Sequence, residues 1–523
     1  MLAVVIVAMV PSSEALSQQT QTTTPMTGLA AANGPIPGDV TLYAPEIECQ
    51  KSVSTPGYKS YLNGAEVSDS TRSALYPCAT FTGSFSAENT VHAFRSVEDY
   101  PGVTYINNGE PGEIYIVGGE VPVPGDMRMV GPFVAKADAS TGKEIWRTYL
   151  DNPNVSGRWI GNSNLNILEN GNIAISWSRY VALLDTDSGH ILKTNSLPTG
   201  EADPQDVNFK HLTVAPDGTL ILKDQTRPKG CTLPGTMAIL ACSARGMPQQ
   251  NSILVAVDPK TLEVIDSLPL PEPAPSPHIV DTYNGKIAVY VGFESSLRRY
   301  FWDADAGKLT ADEGWQVSPM APGQTATTAP SVIGDWVQVQ LNGLFTDKAA
   351  SSIAVVHKDD SSRLSVIYPF GDTLADGEIS FAPPKSTADP ATGMIYSADM
   401  GMKKVAGIRL DQNTGELEIR FVIDAITSAF QPVIGPEHKR VLVMSNVKFA
   451  SLDQSVMEAV QTMNTYTEQV TWRDALTGEL LAQSDYFEPL TIGSLVTPGY
   501  GGRVYFPTAV GRGFYILQPM PKP

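Results

Sequence analysis

Val257-Asp258-Pro259-Lys260-Thr261-Leu262-Glu263-Val264 is one copy of a phrase that the chain repeats. Ala137-Asp138-Ala139-Ser140-Thr141-Gly142-Lys143-Glu144 is another, and so is Leu184-Asp185-Thr186-Asp187-Ser188-Gly189-His190. Further copies are Trp302-Asp303-Ala304-Asp305-Ala306-Gly307-Lys308-Leu309, Leu410-Asp411-Gln412-Asn413-Thr414-Gly415-Glu416-Leu417 and Arg473-Asp474-Ala475-Leu476-Thr477-Gly478-Glu479-Leu480. A degenerate copy runs from Val356 to Leu364 around Asp359. Each reads as an apolar strand, an Asp-led turn, usually a Gly able to take positive φ, and a second strand. The copies recur about every 45 to 75 residues, a period that in an all-strand sequence signals a β-propeller with one blade per repeat.

The 523 residues are 42% hydrophobic and 17% charged, enough for one large closed body. The formal net charge of -19 argues against a nucleic-acid partner and against docking on anionic lipid. Residues 2–10 are apolar but about half the length of a membrane span. With Ser13-Glu14-Ala15 behind them, residues 1–15 read as a secretory signal lacking its basic leader. No later stretch predicts a membrane span. The four cysteines are expected to pair as Cys231–Cys242, within one Pro/Gly-rich insertion, and as Cys49–Cys78, near the N-terminus. Pairing agrees with a secreted or periplasmic location.

Residues 16–90 read as a flexible leader and a disulfide-bearing N-terminal extension, and 91–523 as the propeller. Three spans of equal length, Asn164 to Gly171, His211 to Gly218 and His278 to Gly285, mark the innermost strand of successive blades. The last repeat, near Gly502 and Gly513, lacks an Asp turn and an outer strand, which Thr90–Arg95 is expected to supply. Seven Asp turns and this composite blade predict eight four-stranded antiparallel blades, with seven as the alternative. Insertions concentrate between the second and third strands, so one face of the disc is built up and the other smooth. Loops on a rigid scaffold are where function gathers.

The inner strands begin on the built-up face near the axis, at Asn164, His211, His278, Thr328, Gln431 and Ser494, with Lys385 less securely aligned. His211 and His278, from consecutive blades, are candidates for general acid–base work, against an ordinary role capping strands beside the channel. A metal site is not expected. Cations in the same connections, among them Arg179, Arg298 and Arg512, would clamp an anionic ligand, unless local acids already hold them. Trp177 would stack on such a ligand, although aromatics of this kind also pack between blades. No nucleophile elbow, phosphate loop or dinucleotide fingerprint occurs.

The turns Ala137–Trp146 and Ala475–Leu480 resemble the repeat of the quinoprotein alcohol dehydrogenase-like propellers, typically ALDAxTGKxxW. The resemblance spans roughly residues 91–518. It implies an eight-bladed ring and, for catalytic members, pyrroloquinoline quinone (PQQ) with calcium or a lanthanide over the axis. The adjacent Cys-Cys pair that many of those enzymes carry is absent here. Two functions follow as expectations. One is an exported propeller binding a small, anionic ligand or cofactor in an axial pocket, with oxidoreductase chemistry implied by the resemblance. The other is a non-catalytic periplasmic or extracellular protein-binding scaffold.

Overall fold

In the computed structural model, residues 56–522 are described apart from 60–61, 121–129, 162, 234–236, 244, 325–327, 343–345, 384, 430, 450–465, 491–494 and 509–512. The expected signal, most of the leader, Cys49, Arg512 and Ser494 lie outside the described residues. Eight antiparallel sheets follow one another along the chain. Blade 1 spans Tyr105–Tyr149, blade 2 Asn164–Ser196, blade 3 Val207–Pro269, blade 4 Ile279–Val317, blade 5 Ser331–Ile367, blade 6 Thr387–Asp424 and blade 7 Val433–Gln483. Blade 8 takes three strands from Thr497–Pro521, and its outer strand is Asn89–Arg95 from the other end of the chain. The expected eight-bladed ring and its closure are both present.

Burial follows position in the blade. Middle strands such as Ile173–Trp177, Ile253–Val257 and Ile353–His357 are buried throughout. They are sandwiched between neighbouring sheets, so both faces read apolar. Outer strands such as Val264–Pro269 and Leu364–Ile367 alternate between half-buried and exposed residues, as a strand packed on one face must.

The repeated Asp organises its turn in the same way each time. Asp138 Oδ1 accepts from Thr141 N (2.8 Å) and Thr141 Oγ1 (2.7 Å), while Gly142 N donates to the Asp138 carbonyl at 2.8 Å. Asp185, Asp258, Asp411 and Asp474 repeat the two backbone bonds, and Asp185 also accepts from the Ser188 hydroxyl at 2.7 Å. In the Asp258 copy Leu262 stands where others have Gly, and it takes φ 57° itself. The degenerate copy departs from its reading. His357 holds the position of the repeated Asp, the turn is one residue longer, and Asp360 rather than Asp359 accepts the turn's bonds from Ser362. Asp359 instead accepts from Tyr283 of the preceding blade at 2.7 Å.

Glycine in these turns also lets blades approach. A Cβ at Gly189 would lie 2.4 Å from Trp146, and one at Gly415 would lie 2.2 Å from Trp336. The two indoles donate to Thr186 O at 3.2 Å and Gln412 O at 2.9 Å, locking blade 1 to blade 2 and blade 5 to blade 6.

The N-terminal extension crosses the axis. It begins at the smooth face, where Tyr58 bridges Leu168 and its hydroxyl accepts from Val214 N at 2.8 Å. It then bonds to one inner strand after another. Asn63 O accepts from Asn108 N, Gly64 O from Ile167 N, Ser70 O from Val280 N, Ser73 O from Ala388 N, and Ala74 O from Val433 N. Leu75–Tyr76 adds a parallel edge to the inner strand of blade 7. The segment leaves at blade 8, where Thr82 bonds to Pro519 O, and it continues into the closing strand. Most of residues 62–79 is buried.

Candidate functional site

The partners of this crossing segment lie two or three residues along the inner strands from the polar positions singled out in the sequence. His211 precedes Val214 by three, His278 precedes Val280 by two, Lys385 precedes Ala388 by three, and Gln431 precedes Val433 by two. At about 3.3 Å per residue the segment lies roughly 7–10 Å below them. It floors the channel on the smooth face, so that what remains of the axis is a cup on the side of the built-up face.

One sector of the wall is unlike the rest. The inner strand of blade 3, Val207–Val214, changes register against its neighbour between Asn208 and His211, so Phe209 and Lys210 form a bulge. A bulge re-aims the side chain it carries. Lys210 keeps partial exposure, yet it sits deep enough for burial to lower its pKa. Its ammonium makes no hydrogen bond or ion pair to a described residue. Glu66 and Glu120 act on it only at a distance, raising its pKa against the burial.

Beside it, His211 and His278 are fully buried. No ring nitrogen of His211 has a hydrogen-bond partner among the described residues, and the His278 ring meets only the backbone of Ile221, outside good hydrogen-bond geometry. Burial holds both pKa values well below the usual histidine range, and the charges of Lys223 and Arg72 add to the effect. The two rings are near enough for His278 to act on His211 electrostatically. They are neutral imidazoles at pH 7. Lys223 donates to the Asp224 and Ala274 carbonyls, the latter in the connection to blade 4. Asn208, Asp224 and Gln225 add further buried polar atoms without partners among the described residues. Leaving a buried polar group unpaired costs about 1–3 kcal/mol, so a dense set of them is a prepared place for a polar guest or ordered water.

Other groups face the same axis. Arg72 of the floor pairs with Glu66 at 2.7 Å, both buried. Lys385 is buried, donates to Ser386 O at 2.7 Å, and is pushed down to about 7 by burial and then by Arg72. Glu120 is buried against Ser163 N (2.5 Å), and burial pushes it up to about 8, so it is protonated at neutral pH. The cup therefore presents cationic and hydrogen-bond-donating groups in an otherwise acidic protein.

No known family profile matches the chain, and no curated protein matches it in sequence. Solved structures do match. The quinohemoprotein alcohol dehydrogenase of Comamonas testosteroni superposes with a TM-score of 0.55 at 11% identity, over 92% of this chain and 82% of that one. A quinohemoprotein alcohol dehydrogenase of Pseudomonas putida HK5 gives 0.53 at 11%, over 93% and 83%. BamB of Moraxella catarrhalis gives 0.42 at 10%, over 82% and 99%. The fold is a PQQ-repeat-like β-propeller.

This PQQ-repeat-like propeller shares its architecture with those dehydrogenases. The donor set for their implied metal is a separate matter. Among the described residues no group of three or more His, Cys, Asp or Glu is arranged to hold an ion. Calcium requires several oxygen ligands, and the axial groups here are mainly cations, imidazoles and amides. The described residues do not fit a quinone–calcium centre, and no step is derived through one.

The remaining expected residues fall partly on the inner strands and partly away from them. Gln431 is buried at the axis, donating to Ala429 O at 2.9 Å, with Oε1 unpartnered among the described residues. Asn164 opens the inner strand of blade 2, but its side chain is outside what is described. Arg298 is held by Glu272 at 3.6 Å and Ser296 at 3.1 Å, and Arg227 by Asp206. Arg179 lies over the Tyr180 ring, on which the buried Trp177 also stacks. The Cys231–Cys242 disulfide is formed in the insertion of blade 3, beside the short helix Met237–Ser243. Cys78 is buried near the floor's exit, and its expected partner Cys49 lies outside the described residues.

Lys210, Arg72, Glu66 and Lys223 were not singled out by sequence reasoning. Lys210 had a signal. Apolar residues at 207 and 209, then at 212 and 214, are out of phase, which is what a bulge writes into an alternating strand.

Proposed function

We propose that this propeller is an exported protein that binds a small carboxylate-bearing ligand in the axial cup. The observation that carries the reading is Lys210, displayed on a bulge of the inner strand without a hydrogen-bond or ion-pair partner among the described residues, next in sequence to the buried His211, whose ring nitrogens have no partner among those residues either. In a chain of net charge -19 a cationic pocket is a local feature, and a desolvated charge–charge hydrogen bond is worth more than a surface one. Lys210 and Lys385 would hold carboxylate oxygens, while His211, His278 and protonated Glu120 would supply neutral hydrogen bonds. Export is supported by the Cys231–Cys242 disulfide. No described helix is long and apolar enough to cross a membrane.

Oxidoreductase activity is secondary in this reading, because only fold likeness suggests it. The scaffold reading has less support. The exposed apolar side chains Ile145, Leu192, Val264, Leu364 and Ile419 stand on the outer strands of different blades, spread around the rim.

Titration calorimetry with citrate, succinate and acetate checks the proposal. Citrate is expected to bind with 1:1 stoichiometry, and Lys210→Met is expected to weaken it at least tenfold. Burial lowers both lysine pKa values. Affinity should therefore fall as pH rises through about 7 and Lys385 loses its proton, with Lys210 losing its own below the usual lysine range. Equal affinity in wild type and Lys210→Met, or no binding of any of the three, would refute the site.

A further inference from the structure

We infer that Arg72, carried by the N-terminal segment rather than by any blade, is a carboxylate-binding residue of the axial cup, and that Glu66 positions it. The inference rests on the proposed axial site and adds to it a group that the ring itself does not encode.

The Arg72 guanidinium is buried at the axis, where its charge acts on His211, His278, Lys210 and Lys385. Those residues belong to blades 3, 4 and 6, so Arg72 faces the wall from the centre of the floor. Its hydrogen bonding is incomplete. Nη1 donates to Glu66 Oε2 at 2.7 Å, and no other described residue accepts from the guanidinium. Nε is buried and without a partner among the described residues. Glu66 therefore occupies one corner of the fork and leaves the Nε–Nη2 edge, which matches the two oxygens of a carboxylate. A buried Arg–Glu pair used only for stability is rarely an improvement on apolar packing, whereas a half-engaged fork keeps donors for a ligand.

The backbone around it is held against its preference. Ser68, Arg72 and Ala74 take φ of 63°, 55° and 60°, values that cost a non-glycine residue about 1 kcal/mol or more. Asp69 fixes the turn. Its Oδ1 accepts from Thr71 N (2.8 Å), Thr71 Oγ1 (2.7 Å) and Ser73 N (3.2 Å), and its carbonyl accepts from Arg72 N at 3.0 Å. On either side of Arg72, Ser70 O and Ser73 O are bonded to blades 4 and 6. Strain maintained by this many contacts sets the direction of one side chain.

The ligand class follows. One carboxylate on the Arg72 edge and a second anionic group on Lys210 describe a compact di- or tricarboxylate lying across the floor. Citrate is the probe. Arg72→Lys keeps the charge and loses the fork, and it is expected to weaken citrate at least tenfold while weakening acetate less. The same titration of Lys210→Met separates the two claims. If Lys210→Met weakens citrate and Arg72→Lys does not, the Arg72 inference fails and the cup stands. If wild type binds no citrate, both fail. A second measurement needs no substitution. In the unaltered protein, citrate is expected to slow amide hydrogen exchange across residues 66–76 by at least tenfold, and unchanged exchange there would overturn the role of the segment.

Discussion

At the scale of single residues, two kinds of glycine separate two kinds of constraint. Gly171 takes φ 88° with nothing within 4 Å of where a Cβ would stand, and Gly415 takes φ 83° with Trp336 carbons at 2.2 to 2.9 Å from that point. Gly171→Ala should cost only the backbone penalty, about 1 kcal/mol. Gly415→Ala must also displace an indole that bonds to Gln412 O, and it should cost at least about 3 kcal/mol. Urea unfolding of the two variants checks the difference. Equal losses would mean that Trp336 does not set the spacing of blades 5 and 6. The same scale shows what the sequence can and cannot convey. The Asp turns were legible because each turn is closed by bonds within half a dozen residues. His211 and His278 were legible by alignment of repeats. Arg72 was not, because its surroundings come from blades 3, 4 and 6, more than a hundred residues away.

At the scale of elements, the order of strands within a blade was legible from equal spans and the repeated Asp turn, and the missing outer strand of blade 8 announced a donor near the other end of the chain. Asn89–Arg95 pairs along its whole length with the strand Gly513–Pro521. Ala93 is its buried residue, opposite Leu517. Ala93→Asp would place an unpaired carboxylate against apolar neighbours at the ring's one composite joint, and should lower stability by several kcal/mol. A thermal midpoint within about 2 °C of wild type would show that the joint does not hold the ring. The floor was a harder reading. Residues 62–79 lack alternation because they form almost no sheet of their own. Their hydrogen bonds go to strand edges in six different blades, and only the closed ring makes those edges available.

At the scale of the whole molecule, the chain builds a propeller, uses its own N-terminus to stopper one end of the axis, and passes that segment on to close the last blade. Architecture and site are thus coupled through residues 56–95. The stopper closes the axis on the smooth face, and the site proposed above it would gather Lys210, Lys385, Arg72 and two neutral imidazoles within a strongly acidic body. The sharpest test is a crystal structure with 4-bromophthalate, whose bromine marks its position by anomalous scattering. One bromine site is expected on the axis, with carboxylate oxygens on Lys210 and on the Nε–Nη2 edge of Arg72. Bromine found only on the outer surface, with the axial groups bonded to one another or to water, would contradict the axial site.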